Sequence, residues 1–177
     1  MNVFFTSDYH FNDFGMIEIF NRPFKDGDDM NNKLIHNWNQ RVKPKDTVYH
    51  IGDFCFHKQK KALYFEEQLN GKIIHVLGNH DKNNSVKSIL THAVLEFGGY
   101  TVLAQHIPPT MCLEVPVYVD FVLSGHVHTL YKHIFLEDTR NEKILIPIIN
   151  VGVDVWNFMP VSMQEIIVYY DKIVKEK

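Results

Sequence analysis

The sequence is poor in cysteine, has no long apolar run and carries no large excess of charge of either sign. Its two cysteines, Cys55 and Cys112, cannot build a disulfide framework, and buried reduced thiols are typical of cytosolic proteins. No apolar stretch approaches the ~20 residues that a membrane-spanning helix needs, and the amino terminus lacks the features of a secretory signal. We therefore expect a cytoplasmic protein with no membrane association and no cleaved leader.

Basic residues are too dispersed to suggest a duplex nucleic acid as partner. The chain has 18 Lys and Arg residues against 21 Asp and Glu, a formal net charge of -3, and its one basic cluster is residues 58–61. Proteins that bind duplex DNA or RNA usually carry a basic face. The composition therefore predicts no strong duplex nucleic-acid footprint, and it leaves the oligomeric state open.

The chain contains enough apolar sequence for one packed domain. Apolar residues make up 45% and charged residues 22% of its 177 residues, which is ordinary for a soluble protein. Because the sequence has no repeat, low-complexity tract or linker, residues 1–177 are predicted to form a single domain.

Apolar periodicity predicts an α/β fold with mixed sheets and with helices outside them. The predicted helices are 14–20, a helix that is capped by Asp28 or Asp29 and ends before Pro44, 58–69 and 85–90. The predicted strands are 2–7, 47–51, 73–77, 94–97, 101–104, 121–123, 131–136, 144–151 and 163–169, with a turn around 139–142.

Five short polar clusters each follow one of these apolar strands directly. They are Asp8-Tyr9-His10, Gly52-Asp53, Gly78-Asn79-His80-Asp81, Gln105-His106-Ile107-Pro108 and Gly125-His126-Val127-His128. In open α/β sheets, ligands bind just outside the carboxyl ends of the strands. The clusters are therefore predicted to meet in one crevice, where imidazoles, carboxylates and one amide suit divalent metals.

Two clusters have the spacing of paired metal ligands. Asp8 and His10, like His126 and His128, are two residues apart, and such side chains share one face of an extended segment. A capping Asp and surface histidines are the alternatives. Asp53 either caps a turn or bridges two cations through its two oxygens.

The Gly78 cluster is the most informative single segment. It is either an ordinary polar turn or a functional loop. In the functional interpretation Asn79 faces a metal, His80 points at the substrate, and Asp81 holds His80 in one tautomer. His106 is a lone histidine and by itself predicts no function.

Taken in order, these clusters resemble the calcineurin-like metallophosphoesterases, in particular the small uncapped members of bacteria and phages. The resemblance implies a four-layer α/β sandwich of two mixed sheets face to face, flanked by helices. It implies two divalent metals, from Mn, Fe, Zn, Ni and Mg, and hydrolysis of a phosphoester by in-line attack of a metal-bridging hydroxide.

The resemblance also implies a role for each matching residue. The first metal would be held by Asp8, His10, Asp53 and His128. The second metal would be held by Asp53, Asn79, His106 and His126. Catalysis would involve His80, which contacts the phosphate, and Asp81, which steadies His80.

Substrate binding is predicted to involve Asn79, His80 and Arg22. Arg22 lies in a loop after the first cluster, where a guanidinium can fork onto phosphate oxygens; a surface Arg is the alternative. The Asp-Arg-Gly of related protein phosphatases is absent, because Phe54 and Cys55 follow Asp53. We therefore expect a small phosphoester substrate, a phosphodiester or a nucleotide, rather than a phosphoprotein.

Three alternatives remain open from the sequence. The chain could be a phosphomonoesterase, a hydrolase with only one metal, or a non-catalytic binding or scaffold protein on the same fold. The complete ligand set together with His80 favours an enzyme.

Overall fold

The structure is a computed structural model that describes residues 1–56, 61–137 and 145–177. These ranges contain two β-sheets, one of four strands and one of five. The strands are β1 (Val3–Thr6), β2 (Thr47–Ile51), β3 (Lys72–Val76), β4 (His92–Phe97), β5 (Tyr100–Gln105), β6 (Phe121–Ser124), β7 (His133–Glu137), β8 (Leu145–Asn150) and β9 (Val161–Ser162). The helices are α1 (Gly15–Ile19), α2 (Gly27–Arg41), α3 (Ala62–Glu66) and α4 (Met163–Lys175).

Both sheets are mixed, and their central strands are parallel. The first sheet has the order β3-β2-β1-β9, in which only β9 runs antiparallel to its neighbour. The second has the order β4-β5-β6-β8-β7, in which β5, β6 and β8 are parallel and the two edge strands are antiparallel. Each sheet therefore presents the carboxyl ends of three parallel strands at one edge.

The core lies between the two sheets and follows from the alternation of side chains along each strand. Phe5 of β1 packs in a buried cluster with Val102 of β5 and Leu123 of β6. The adjacent Phe4 faces the other way and packs with Leu34 of α2 in a second cluster. Two sheets packed face to face are thus confirmed.

The outer layers differ between the two sheets. Helices α1, α2 and α3 cover the first sheet, and Trp38 of α2 is fully buried there. The outer face of the second sheet is covered by a short 3-10 helix, Cys112–Glu114, and by the buried Val115 and Val119. The predicted four-layer α/β architecture is confirmed, with an irregular segment as its fourth layer.

The prediction of a strand at 163–169 is wrong, because this segment belongs to α4. Ser162 accepts a hydrogen bond from the backbone N–H of Glu165, and the Glu165 carboxylate accepts from the backbone N–H of Ser162. This capping box satisfies two N–H groups that a helix start leaves unpaired. Met163 and Ile166, three residues apart, are buried on one helical face.

Two other predicted helices differ from the outcome. Residues 85–90 form no helix, because the backbone N–H of Leu77 donates to the carbonyl of Leu90 at 2.8 Å and keeps the segment extended beside β3. Of the helix expected at 58–69, the structure shows α3, whereas 57–60 and the turn at 139–142 lie outside the described residues. Within the described ranges, no helix has the length and apolarity to cross a membrane.

The capping box makes a stability prediction. Ser162→Ala should lower the free energy of unfolding by about 1 kcal/mol, because it removes the oxygen that accepts from the helix backbone. The exposed neighbour Gln164 provides the control, and Gln164→Ala should change the value by less than about 0.5 kcal/mol. Urea denaturation measures both, and equal stabilities for the two variants would contradict the cap.

Candidate metal centre

Six loops at the carboxyl ends of β1, β2, β3, β5, β6 and β8 converge on one site. Such an edge collects side chains from segments that are far apart in the chain. The seven predicted metal ligands all lie on these loops and are joined by short distances. They are Asp8, His10, Asp53, Asn79, His106, His126 and His128.

One end of the site is formed by Asp8, His10 and His128. One ligand atom of each lies within 4.8 Å of the others, and all three residues are buried. The imidazole rings of His10 and His128 are stacked, with centroids 5.3 Å apart. His10 Nε2 is buried and has no hydrogen-bond partner among the described residues, which is costly unless a ligand such as a cation pairs with it.

The other end is formed by Asp53, Asn79, His106 and His126. Asn79 Oδ1 lies 2.9 Å from His106 Nε2 and 3.0 Å from His126 Nδ1. Asp53, His106 and Asp8 form a second group with ligand atoms within 4.8 Å of one another. This end therefore offers carboxylate, amide and imidazole donors together.

The carboxylate of Asp53 lies between the two ends. Its Oδ2 is 3.6 Å from His10 Nε2 on one side and 3.2 Å from His106 Nε2 on the other. Its Oδ1 accepts a hydrogen bond from the backbone N–H of His80 at 3.0 Å. One oxygen atom is thus close to imidazole ligands of both ends.

The backbone of the ligand loops is strained where the ligands sit. Five of the seven ligands have left-handed backbone conformations, with φ between 45° and 71°: Asp8, His10, Asp53, His126 and His128. Residues other than glycine rarely adopt this region, and such strain concentrates at functional sites. With this backbone conformation, the chain leaves the direction of the preceding strand at these residues, and the side chains reach the shared site.

Contacts between the loops maintain this backbone. The backbone N–H of His126 donates to both carboxylate oxygens of Asp8, at 3.0 Å each. Gly125 permits the approach, because a Cβ there would overlap Ser7 Oγ and would lie 2.5 Å from Asp8 Oδ2. The loop after β6 is therefore joined directly to the loop after β1.

Hydrogen bonds determine which ring nitrogen His106 and His128 each present to the site. His106 Nδ1 lies 2.9 Å from the carbonyl of Ile51, and a carbonyl can only accept. His128 Nδ1 lies 2.8 Å from Asp154 Oδ2. With each Nδ1 donating its hydrogen, Nε2 carries the lone pair that a metal requires.

Burial and neighbouring charges have opposite effects on the pKa values of histidines in the site. Burial lowers the pKa of His10 to about 3, so its imidazole is neutral. Burial also disfavours a charged His106, but the hydrogen bond to Asp53 and the charge of Asp8 raise its pKa to about 9. A cation that binds His106 therefore displaces a proton, and its binding strengthens as the pH rises.

The pKa values of Asp8 and Asp53 differ because burial and neighbouring charges act on both carboxylates. Burial raises the pKa of Asp8 above its usual value. Burial acts in the same direction on Asp53, but the hydrogen bond from His106 and the charges of His106 and His10 outweigh it, and the pKa of Asp53 is lowered. Asp53 is therefore an anion over the physiological pH range.

Comparison with known proteins agrees with this geometry. Residues 1–153 match the model of the calcineurin-like phosphoesterase superfamily domain. The chain belongs to this family. Two relatives extend the similarity over nearly all of the chain, and both are described as uncharacterized or of unknown function.

The first relative is the uncharacterized protein MJ1445 of Methanocaldococcus jannaschii. It is 35% identical over 174 residues, which cover 96% of this chain and 92% of that protein. The second is the crystal structure of protein AQ665 of Aquifex aeolicus, which is 26% identical. It covers 97% of this chain and 98% of that one, with a TM-score of 0.70.

Calcineurin-like phosphoesterases typically bind divalent metals, and the residues of this chain fit such ions. The donor set is oxygen from carboxylates and an amide together with imidazole nitrogen, a combination suited to hard and borderline divalent cations. The buried Nε2 of His10, which has no hydrogen-bond partner among the described residues and lies 3.6 Å from Asp53 Oδ2, fits a bound cation.

The structure does not support the predicted role of Arg22 in substrate binding. Its guanidinium is fully buried and forks onto the carboxylate of Asp154, at 2.8 and 2.9 Å. It also donates to the backbone carbonyls of Asp8 at 2.7 Å and Tyr9 at 3.1 Å. Because these partners occupy the N–H donors of its guanidinium, Arg22 stabilises the loop after β1.

The structure also corrects the predicted partner of Asp81. Its carboxylate accepts backbone N–H groups of Gly78 at 2.8 Å, Asp53 at 2.9 Å and Phe54 at 3.0 Å, rather than the ring of His80. Asp81 thus joins the loops after β2 and β3. His80 is exposed at the rim, with its ring centroid 5.7 Å from that of His10.

Asp154 is the residue that the sequence analysis missed. It accepts from His128 on one side and pairs with Arg22 on the other. Burial would raise its pKa, but the hydrogen bond from His128 and the charge of Arg22 lower it. Residues 151–154 follow β8 as the five recognised clusters follow their strands, so the same strand-end pattern could have identified Asp154.

We expect Asp154→Asn to weaken divalent-cation binding about 10- to 100-fold. The amide cannot match the carboxylate as a partner that orients His128 and raises its basicity. Metal titration followed by calorimetry measures the effect. Thermal unfolding of the same sample establishes that the variant is folded, which is needed because it leaves Arg22 without its counter-ion.

The matched control is Asp28→Asn, because Asp28 is an exposed carboxylate on α2. It makes the same change of charge and should leave cation affinity within about twofold. A folded Asp154→Asn protein with the affinity of this control would show that Asp154 does not support His128.

Proposed function

We propose that this protein hydrolyses phosphodiesters or small phosphorylated nucleotide-type substrates with two divalent cations. One observation carries the proposal: Asp53 Oδ2 lies 3.6 Å from an imidazole nitrogen of one ligand group and 3.2 Å from one of the other. A carboxylate oxygen placed between two groups of ligands is suited to serve both.

Each cation has its own ligands in this proposal, and Asp53 is shared. The first would be held by Asp8, His10, Asp53 and His128. The second would be held by Asp53, Asn79, His106 and His126. Both sets contain imidazole and oxygen donors, so Mn²⁺ is a reasonable first choice, with Fe, Zn²⁺, Ni²⁺ and Mg²⁺ as the others to test.

A pair of bound divalent cations supplies positive charge for phosphate oxygens and lowers the pKa of water. Among the described residues, the candidate ligand groups contain two carboxylates, Asp8 and Asp53, against about four positive charges. The charge left over attracts an anionic phosphoester.

His80 is placed to act on the leaving oxygen. Its side chain is exposed at the rim, beside His10, and its backbone is fixed by the hydrogen bond to Asp53. A second bond, from the Asn84 amide to the His80 carbonyl at 2.6 Å, holds the loop. An imidazole at that position can donate a proton or a hydrogen bond to the departing group.

The alternative function is binding without catalysis, on the same fold. An exposed His80 at the rim of a complete ligand set favours catalysis, because a scaffold has no need of a proton donor there. A phosphomonoesterase and a hydrolase with one cation are narrower alternatives. Hydrolysis of p-nitrophenyl phosphate in preference to the diester would favour the first, and a wild-type protein with one metal would favour the second.

The shared carboxylate predicts the result of Asp53→Asn. With Mn²⁺ present, hydrolysis of bis(p-nitrophenyl) phosphate should fall by at least about 100-fold, because a neutral amide cannot neutralise two cations. Elemental analysis should show fewer than two metals per chain. Near-normal rates with two metals retained would exclude Asp53 as the shared ligand, and a wild-type protein that binds one metal would favour the mononuclear alternative.

His80→Ala separates an enzyme from a scaffold. Turnover should fall by about 10²- to 10⁴-fold because the proton donor is lost, while the metal content stays at the wild-type value. The control is His36→Ala on the exposed face of α2, which should preserve both turnover and metal content. Equal rates for the two variants would contradict the role of His80.

A further inference from the structure

A cleft of about 450 Å³ opens directly beside the candidate metal centre. Asn79 and His106, two of the metal-ligand candidates, form part of its wall. Its size lies in the range of small-molecule sites, roughly 300–1,000 Å³. A substrate whose phosphoester lies at the metal centre therefore has room for its remaining part in this cleft.

The walls of the cleft come from both sheets and are held together. The backbone N–H of Leu77, after β3, donates to the carbonyl of Leu90 at 2.8 Å. His92 of β4 is paired in register with Gln105 of β5, next to His106. The cleft is thus an opening between the two sheets with fixed sides.

The charge of the cleft is unlike that of the whole chain. The protein has a net charge of -3, yet the described residues that line the cleft include Lys82 and no carboxylate. Among the described residues, Lys82 has no carboxylate partner within ion-pair distance. A cation without a counter-ion, in a cleft without carboxylates, is suited to an anionic ligand.

The backbone of Lys82 is tied to the metal centre. Lys82 lies in the 3-10 helix Asp81–Asn83. The first residue of that helix, Asp81, accepts the backbone N–H groups of Asp53 and Gly78. The backbone that carries Lys82 is therefore continuous with the residue whose carboxylate positions Asp53.

The rest of the cleft offers contacts for an uncharged portion of the ligand. The Gln105 amide nitrogen donates to the carbonyl of Ile107 at 2.8 Å, which orients the amide oxygen as an acceptor. The Thr91 hydroxyl lies 3.2 Å from His92 Nδ1. Ile107, about half exposed at 52%, adds an apolar wall. Polar and apolar contacts of this kind suit a sugar or a base.

We infer that this cleft binds the part of the substrate beyond the reacting phosphoester, and that Lys82 selects substrates whose second group is a phosphate. The inference rests on the proposed function and deepens it, because it narrows the substrate class to small phosphoesters with two phosphates. Lysine binds phosphate as a compact point charge, and an added charged contact improves discrimination.

The experiment uses two chromogenic esters that differ by one group. They are thymidine 5′-(p-nitrophenyl phosphate) with and without a 3′-phosphate, assayed with the Mn²⁺-loaded full chain. The measured quantity is the ratio of kcat/KM values for the two esters, which cancels general losses of activity. In the wild type this ratio should favour the 3′-phosphorylated ester by about tenfold.

Variants at Lys82 test its part in this preference. Lys82→Met keeps the apolar stem and should reduce the ratio to about one, whereas Lys82→Arg keeps the charge and should retain most of the preference. The control is Lys45→Met, because Lys45 is exposed before β2, at the opposite end of that strand from the site. A ratio near one in the wild type, or an unchanged ratio in Lys82→Met, would overturn the inference.

A binding measurement separates this inference from the proposed function. If the wild type hydrolyses neither ester with any of the metals, the proposed function fails, and the cleft is then tested by calorimetry. Thymidine 3′,5′-bisphosphate should bind about tenfold more tightly than thymidine 5′-monophosphate, and Lys82→Met should abolish the difference. Equal affinities of the wild type for both nucleotides would refute the role of the cleft.

Discussion

The metal centre depends on contacts between the two sheets, above all the donation of the His126 backbone N–H to the carboxylate of Asp8 and the hydrogen bond between His106 Nδ1 and the Ile51 carbonyl. The bond from His126 to Asp8 joins the end of β6 to the end of β1. It requires a glycine at position 125, because a Cβ there would overlap Ser7 Oγ. It is supported by a parallel bridge between Ser7 and Gly152. Without these contacts, the ligands would belong to two separate sheet edges, and no single pocket would hold a cation.

The buried ion pair between Arg22 and Asp154 also stabilises this arrangement of the ligand loops. Arg22 and Asp154 are both almost fully buried, and each contacts a ligand loop: Arg22 holds backbone carbonyls, and Asp154 orients His128. Losing one member of such a pair commonly costs about 3–5 kcal/mol, because the other charge stays buried. We therefore expect Asp154 to couple the stability of this protein to metal binding.

The candidate site has two parts of different character. The candidate metal centre contains two buried carboxylates and in the proposal would hold the reacting phosphoester, whereas the described residues that line the adjoining cleft include Lys82 and no carboxylate. Asp81 links the two, because its carboxylate fixes Asp53 and its own backbone begins the 3-10 helix of Lys82. In this arrangement the metal centre would supply chemistry common to calcineurin-like phosphoesterases, and the cleft would decide which phosphoester is used.

The sequence by itself determined most of the strands and the candidate ligands that follow them, because side-chain alternation and strand-end position are local properties of the chain. It also contained the strand-end pattern of Asp154 and the capping box of α4, although β-branched and aromatic residues in 163–169 favoured a strand. Only the tertiary structure decided that Arg22 faces Asp154 and that Asp81 binds backbone N–H groups. Those roles depend on which partner lies opposite a side chain, and pairs such as Arg22 and Asp154, 132 positions apart, meet only when both sheets are assembled.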